Sequence, residues 1–534
     1  MIERSTTVRL CRWLFSWRGL RRILILLAWL VTLSALFHGE ETWRGRRAWN
    51  QYRQELEARG EQLDFAALVP KPVPDEQNFA ATPVIKSWFE KTASYDPDHP
   101  WSDAYSRIAD KVSPPKAKDA KAERRFEDLA AWEKAFAAVR SGELTRGQKF
   151  YSTNLDAAVR AKAAPAVLEG LKTNEAFFAE LRAASQRPYS RYPVNYDVEL
   201  PFAILRPHLR MMKGVCRRLE LKTCAELAGG QSDQALEDLG LMFRLADSLR
   251  EEPFVISYLV RIACAQVATQ PIWEGLAEHR WSDAQLQELE THLQQYNFIA
   301  DLKTPLAAEQ AASLAAIELV RKKGLGYVIA LNALGGPYAA PAAADAKKLN
   351  FIMFVVVPRG WYDQEELNYC RAFHLELATS LDTTKQRVSA ARVKADNQAF
   401  EQMMYPNGRA ETTFGLVLHH RVMAHMLLPA LGNVIMRSAA TQTAFDQAAI
   451  ACALERYRLA NGHFPEALEA LAPRFISPLP NDVLTGEPYK YRLTDDGRFV
   501  LYSVGWDEKD DGGVPGKTLF DDKLGDWVWE YPAK

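Results

Sequence analysis

The chain has 534 residues, with 66 lysines and arginines against 67 aspartates and glutamates and a formal net charge of -1. That balance excludes a general nucleic-acid binder, which carries a basic excess on at least one domain. Hydrophobic residues at 48% and charged residues at 25% are ordinary for a globular protein, and the length exceeds what one hydrophobic core serves, so two or more domains are expected.

Residues 23–37 (ILILLAWLVTLSALF) are apolar throughout. A bilayer core needs about 20 residues at about 1.5 Å each. Leu20 and Gly39 lengthen the run, and Arg21, Arg22 and His38 can snorkel. Arg4, Arg9, Arg12, Arg18, Arg21 and Arg22 precede it against Glu3 alone, while Glu40 and Glu41 follow it directly, ahead of Arg44, Arg46 and Arg47. This bias predicts a cytoplasmic N-terminus, an extracytoplasmic bulk and a bacterial inner-membrane address. Ala35 has Leu33 at the minus-three place, so no small-x-small cleavage site follows the run and a retained signal anchor is expected. The stretch Arg9 to Arg22, with Trp13, Leu14, Phe15 and Trp17, fits a basic aromatic segment on the inner membrane face.

Trp43 to Gly60 continues as a charged helix, with Trp49, Tyr52 and Leu56 at helical spacing. Pro70, Pro72 and Pro74 then favour an extended segment. The following run PDEQNFAATP resembles one in large uncharacterised families of membrane-anchored bacterial proteins, and reads as a linker that docks Phe79 onto the body.

From about Lys121 the pattern turns helical. Leu219 to Leu249 reads as a helix pair about a Gly229-Gly230 turn, similar to a tetratricopeptide hairpin but without the fixed period of an array. Phe254 to Leu276 is an apolar helix that Pro271 should kink or end. Ser282 to Gln285 is a capping box, and Leu306 to Val320 is an alanine-rich helix. Gly335 to Asp345 is the clearest internal linker; the apolar run Phe351 to Val357 is too short to span a bilayer and reads as buried. Gln364 to Met404 is expected as a helix, as is Leu416 to Ile435, broken at Pro429.

Near the C-terminus, Phe445 to Ala460 reads as an amphipathic helix stopped by Asn461-Gly462. A short turn over Leu468 and Leu471 follows, then a hairpin of Tyr489–Leu493 and Phe499–Ser503 joined through Asp495-Asp496-Gly497. The run LERYRLANGHFPEALEAL, with LPNDVLTGEPYKY and GRFVLYSVGWDEKDDGG after it, is similar to the globular head of the type II secretion major pseudopilins. The matching positions are Tyr457, Gly462, Phe464, Pro465, Pro480, Asp482, Gly486, Pro488, Tyr489, Tyr502, Ser503, Gly505 and Asp507. The match covers less than a fifth of the chain. It departs from the family in having no prepilin peptidase site leading into the head's own helix and in placing Val483 where proline is usual.

The resemblance implies a small α+β module at residues 436–534 and a calcium site near Asp507, Asp510 and Asp511, with Asp521 and Asp522 as further oxygen donors. Ca²⁺ takes six to eight oxygen ligands, so an acidic loop is chemically suitable. The loop is no EF-hand: Lys509 sits where a third-position acid is needed and Thr518 replaces the twelfth-position glutamate. A solvated acidic turn is the alternative.

Other constellations carry less. Gly512 to Thr518 is one residue short of a phosphate loop. His419, His420 and His425 are five and six apart, which turns their rings by about 140° and 240° on a helix, so they diverge. Asp363, Glu365 and Glu366 follow Trp361 and Tyr362; paired carboxylates beside aromatics suit sugar hydrolysis, but acids that open a helix are commoner. Six cysteines stand at 11, 216, 224, 264, 370 and 452; most lie in helical patterns and read as small buried residues, with a Cys216–Cys224 disulfide as the alternative.

The expected architecture is mainly α: a basic tail and transmembrane anchor (1–39), a charged helix and Pro-rich linker (40–120), a multi-helix body with helical hairpins (121–435) and the pseudopilin-like α+β module (436–534). The expected role is a non-enzymatic interaction or scaffold function at the cell envelope, without a cofactor other than Ca²⁺ and with other envelope proteins as partners. The alternatives are an envelope hydrolase whose carboxylates converge only in the fold, or an accessory of a secretion or pilus-like system.

Overall fold

The computed structural model describes residues 16–89, 103–109, 124–142, 150–152, 156–328, 357–377, 381–382, 385–404, 413–428 and 431–530. The expected linker at Gly335 to Asp345, the apolar run before Val357, Pro429 and the arginines before Ser16 lie outside them.

Ser16 caps α1 (Trp17–Ala58) by accepting from the Gly19 amide, and the helix then runs unbroken for 42 residues. Its two halves behave differently. No residue of the apolar window is buried in the protein, and Trp29, Val31 and Leu36 are 64%, 67% and 65% exposed. From Glu41 the helix meets the body, burying Glu41, Gly45, Trp49 and Leu56, a stripe at helical spacing. The helix Val255–Ala277 is also long and apolar enough to cross a membrane, but its window is 67% buried among other helices. Among the described residues, α1 alone presents a span-length apolar window with no buried residue, which is what a bilayer would cover.

After α1 the prolines hold residues 69–74 extended, and Arg191 Nε donates to the Pro70 carbonyl at 3.0 Å. Phe79 is fully buried; its amide donates to Tyr189 O at 2.8 Å, and the Arg244 guanidinium lies 5.3 Å from its ring. The linker docks this ring as expected.

The body comprises α2 (Leu129–Ser141), α3 (Ala157–Leu171), α4 (Glu175–Ser185), the hairpin α5 (His208–Ala228) and α6 (Ser232–Asp247), then α7 (Val255–Ala277) and α8 (Asp283–Leu293). Gly230 turns the hairpin at φ +77°, a conformation that favours glycine. Two expectations need correction. Residues 188–200 are extended rather than helical, because Pro188, Pro193 and Pro201 forbid a continuous ladder. Pro271 does not end the helix, one of the two outcomes expected of it: α7 continues to Ala277. An interior proline costs about 3 kcal/mol, and the burial of α7 against α5, α6 and the C-terminal helix outweighs it. The capping box of α8 forms both of its hydrogen bonds.

Beyond α9 (Lys303–Lys323), the helix expected over Gln364–Met404 is two: α10 (Arg359–Leu377) and α11 (Ala390–Met404). An antiparallel ladder pairs Leu381–Asp382 with Arg387–Val388 between them, and the Asp382 carboxylate accepts from the Lys385 amide at 2.9 Å, a local turn that competes with helix. Likewise the chain breaks at His419–Arg421 before α12 (Val422–Leu427).

The C-terminal helix α13 (Leu431–Asn461) runs 31 residues, and the boundary expected at 435/436 falls within it. It packs on α7 and α8 and ends at Gly462, φ +81°. The hairpin forms in the expected place: β1 (Lys490–Leu493) pairs antiparallel with β2 (Phe499–Ser503), Lys490 opposite Tyr502. A third strand, β3 (Trp527–Trp529), extends the sheet on β2 with Leu501 opposite Trp529. Three residues with no alternation leave no readable strand signal. Gln447 donates to Trp527 O, and Trp273 Nε1 to Glu530 O, each at 2.7 Å, so the sheet is fastened to α13 and α7. One hydrophobic core accordingly runs from Trp49 to Trp529, with a satellite around Trp132, Phe136 and Phe150. Cys216, Cys224, Cys264, Cys370 and Cys452 are buried and free, so the Cys216–Cys224 alternative is not realised.

Helices α1 and α10 approach most closely at two glycines. A Cβ on Gly45 would lie 2.1 Å from the Gly360 carbonyl oxygen, and one on Gly360 would lie 2.1 Å from that of Glu41. Gly360→Ala is therefore expected to cost about 1–3 kcal/mol as the helices are forced apart. Gly240→Ala, on an exposed helical position with open space, should instead stabilise by up to about 1 kcal/mol. Denaturant unfolding of the detergent-solubilised chain measures both; a G360A midpoint at or above wild type would contradict the close crossing.

Candidate functional site: a charged cleft beside the apolar helix

Three helices build the cleft. α10 lies alongside α1 in the same direction: Trp361 Nε1 donates to Glu41 Oε2 at 2.9 Å near one end, and His374 Nε2 meets Glu61 Oε2 at 2.8 Å near the other. α9 runs antiparallel to α10, with Arg321 Nη1 3.5 Å from Asp363 Oδ1 and Gln310 Nε2 3.6 Å from Cys370 Sγ. The space between these walls has two lobes that share Arg46, Asn50, Glu318 and Arg321.

The upper lobe, about 1600 Å³, begins at His38, one residue beyond the apolar run. Arg46 and Arg47 come to it from α1, Arg321, Lys322 and Lys323 from α9, and Arg359 from α10; Glu318 is the acid on its walls. Glu318 pairs with Arg321 and, at 3.2 Å, with Lys322, while Lys323 pairs with Glu199. The lower lobe, about 620 Å³, lies deeper along the same helices and is lined by Trp49, Arg53, Phe65, Asp363 and Glu366 among others.

Asp363 and Glu366 are 4% and 8% exposed. A spacing of three places them on one face of α10. Asp363 Oδ2 is buried without a hydrogen-bond partner among the described residues. Burial pushes the Asp363 carboxyl up, against the pull of Arg321 and Arg46. Burial lifts Glu366 further, from 4.5 to about 8, although Arg321 opposes it, so this side chain holds its proton at neutral pH. Glu365 points elsewhere: it accepts from the Val422 and Met423 amides at 3.0 and 2.9 Å, capping α12, and burial raises it to about 7.

These three acids do not open a helix. α10 begins at Arg359 and has no acid in its first turn, so complementing the helix dipole does not account for them. The charges that meet Asp363 and Glu366 come from α1 and α9, far away in sequence, and no local spacing announces that meeting.

The acidic loop near the C-terminus is organised around its own backbone. Asp507 accepts from the Lys509 amide at 3.2 Å. Asp510 Oδ1 accepts from Tyr502 Oη and the Gly512 amide, each at 3.0 Å. The Asp511 amide donates to Asp526 at 3.3 Å. Asp521 accepts from the Lys517, Lys523 and Leu524 amides, while Asp522 is exposed. Asp526, fully buried and not singled out by the sequence, also accepts from the Gly513 amide at 2.6 Å. Among the described residues no group of three or more histidines, cysteines or carboxylates is arranged to hold a metal ion. Of the histidines, His420 packs 4.8 Å from Trp361 and His419 is exposed.

A second set of acids converges in the body, again unannounced by spacing. The Glu127 amide donates to Glu274 at 2.7 Å, Trp132 Nε1 donates to Glu127 at 3.0 Å, Arg160 bridges Glu274 and Glu278, and Arg217 meets Glu220 at 2.7 Å. Burial raises all three of Glu127, Glu220 and Glu274. These groups mostly satisfy one another, Arg160 tying α3 to α7 and Glu127 joining Trp132 of α2 to Glu274 of α7, a structural role.

Comparison with known proteins finds no family model that matches the chain, and neither a curated protein nor a solved structure that resembles it.

Because folded Glu366 holds a proton that the unfolded chain has released, its contribution to stability is complete below pH 4.5 and is lost as pH rises towards about 8. Glu366→Gln should flatten this slope and be more stable than wild type above pH 8. Infrared difference spectra at pH 7 should show a protonated-carboxyl band that E366Q lacks; identical spectra would place the proton elsewhere.

Proposed function

We propose that this is a single-pass protein of the bacterial inner membrane, with its N-terminus cytoplasmic and its bulk extracytoplasmic, that acts by binding rather than by catalysis. In this reading the cleft receives an anionic group from its ligand, and the C-terminal sheet, similar in sequence to a pseudopilin head, offers a second face to an envelope partner such as a secretion component. One observation carries the reading: a cleft with more cations than acids on its walls starts where the exposed apolar half of α1 stops. A ligand-binding site is concave and places a few convergent polar groups, and a helix without a protein partner brings this one to the membrane surface.

The buried pair Asp363 and Glu366 supports a second reading, an envelope hydrolase. Glu366, protonated at neutral pH, would serve as general acid and Asp363 as base. Release of reducing sugar from cell-wall glycan that is lost in both D363N and E366Q would favour it; release unaffected by both would remove this pair from the chemistry.

The address comes first. A reporter active only outside the cytoplasm, fused at Lys534, should give signal, while a cytoplasm-only reporter at the same site should not. The reverse pattern would overturn the envelope reading.

A further inference from the structure

We infer that the upper lobe of the cleft is a binding site for the phosphodiester headgroup of an anionic phospholipid. This rests on the binding reading above and names its ligand.

The first argument is charge. Lys322 and Lys323 have carboxylate partners in Glu318 and Glu199. Arg46, Arg47 and Arg359 have none within ion-pair distance among the described residues, and all three are exposed. They approach from two walls, α1 and α10, at the level of the Gly45–Gly360 crossing. Guanidinium groups present a planar fork that matches phosphate oxygens in pairs. An ammonium ligand would be repelled by three arginines; a carboxylate fits the same fork, and position decides between the two anions.

The second argument is position. Arg46 lies nine residues beyond Phe37, about 14 Å along the helix. Side chains of a helix lean towards its N-terminus, which for α1 is the membrane side, so Arg46 and Arg47 reach back towards the headgroup layer. Trp43 is 62% exposed on the same rim, with the Arg47 guanidinium 5.4 Å from its ring. An amphipathic ring at this height is what interfacial tryptophans supply.

The third argument is size. About 1600 Å³ exceeds the roughly 300–1,000 Å³ of small-molecule pockets, leaving room for a headgroup and its glycerol backbone while the acyl chains stay in the bilayer beside the apolar half of α1.

The test uses the full chain, purified in a neutral detergent and offered equal amounts of phosphatidylglycerol and phosphatidylcholine, with lipid adducts counted by native mass spectrometry. Preferential retention of phosphatidylglycerol is expected. Each cation near a membrane surface contributes about fivefold in affinity, so Arg47→Gln with Arg359→Gln should lower phosphatidylglycerol retention about 25-fold. Both side chains are exposed, and circular dichroism melting checks that the double variant remains folded. G240A, at an exposed position of α6 that lines neither lobe, should retain the lipid as wild type does and serves as a second folded reference. Equal retention of the two lipids, or undiminished retention by the folded double variant, would overturn the proposal. Displacement of phosphatidylglycerol by millimolar inorganic phosphate would also overturn it, because the site would then take free phosphate. None of these outcomes depends on which side of the membrane the body occupies, so the reporter experiment can fail or succeed independently.

Discussion

The crossing of Gly45 and Gly360 sets the geometry on which the rest of the functional surface depends. With no side chain at either position, the backbones of α1 and α10 come so close that a methyl group on either glycine would meet the other helix's carbonyl oxygen. Small residues permit this approach in membrane and soluble helix pairs alike. The Trp361–Glu41 hydrogen bond locks the rotation of one helix about the other. The exposed apolar half of α1 is continuous with the half that packs on the body. Any group carried by α10 has a defined height below the apolar run, and this is why Arg359 belongs to the same cleft as Arg46 and Arg47.

The two lobes differ because their walls differ in exposure. Above, Arg46, Arg47 and Arg359 stand exposed in the open mouth of the cleft, with no carboxylate within ion-pair distance among the described residues. Below, Asp363 and Glu366 are nearly sealed from water, and removing a carboxylate from water favours its neutral form. Nearby arginines oppose that effect without cancelling it at Glu366. Even with Glu366 neutral, the three arginines of the lower walls, Arg46, Arg53 and Arg321, face three further carboxyl groups, Asp64, Glu318 and Asp363, so the excess of cations is confined to the upper lobe. An anionic ligand gains from the upper lobe.

The C-terminal sheet is held differently. Its strands contribute to the core that also contains Trp49 and Leu56 of α1, and β3 is fastened to α13 and α7 by side-chain bonds to its backbone. Its acidic turns are braced by their own amides, with Asp526 buried beneath them. The sheet and the body-packed half of α1 therefore belong to one packed body.

What the sequence determined by itself is what acts over a few residues. The apolar run, the prolines at 70–74, the Ser282 capping box, the hairpin at Asp495-Asp496-Gly497 and the stop at Gly462 are all local: each is written in adjacent residues and needs no distant neighbour, and each appears in the structure as expected. The tertiary structure alone decided the rest. Packing on three helices keeps α7 intact through Pro271. β3 is a strand only because β2 is there to receive it. Asp363, Glu365 and Glu366 look alike in sequence, yet one turn of α10 sends two of them into the cleft and the third to the end of α12. The cations that meet those two acids come from helices hundreds of residues upstream and dozens of residues upstream, because long-range packing, not spacing along the chain, selects which charges become neighbours.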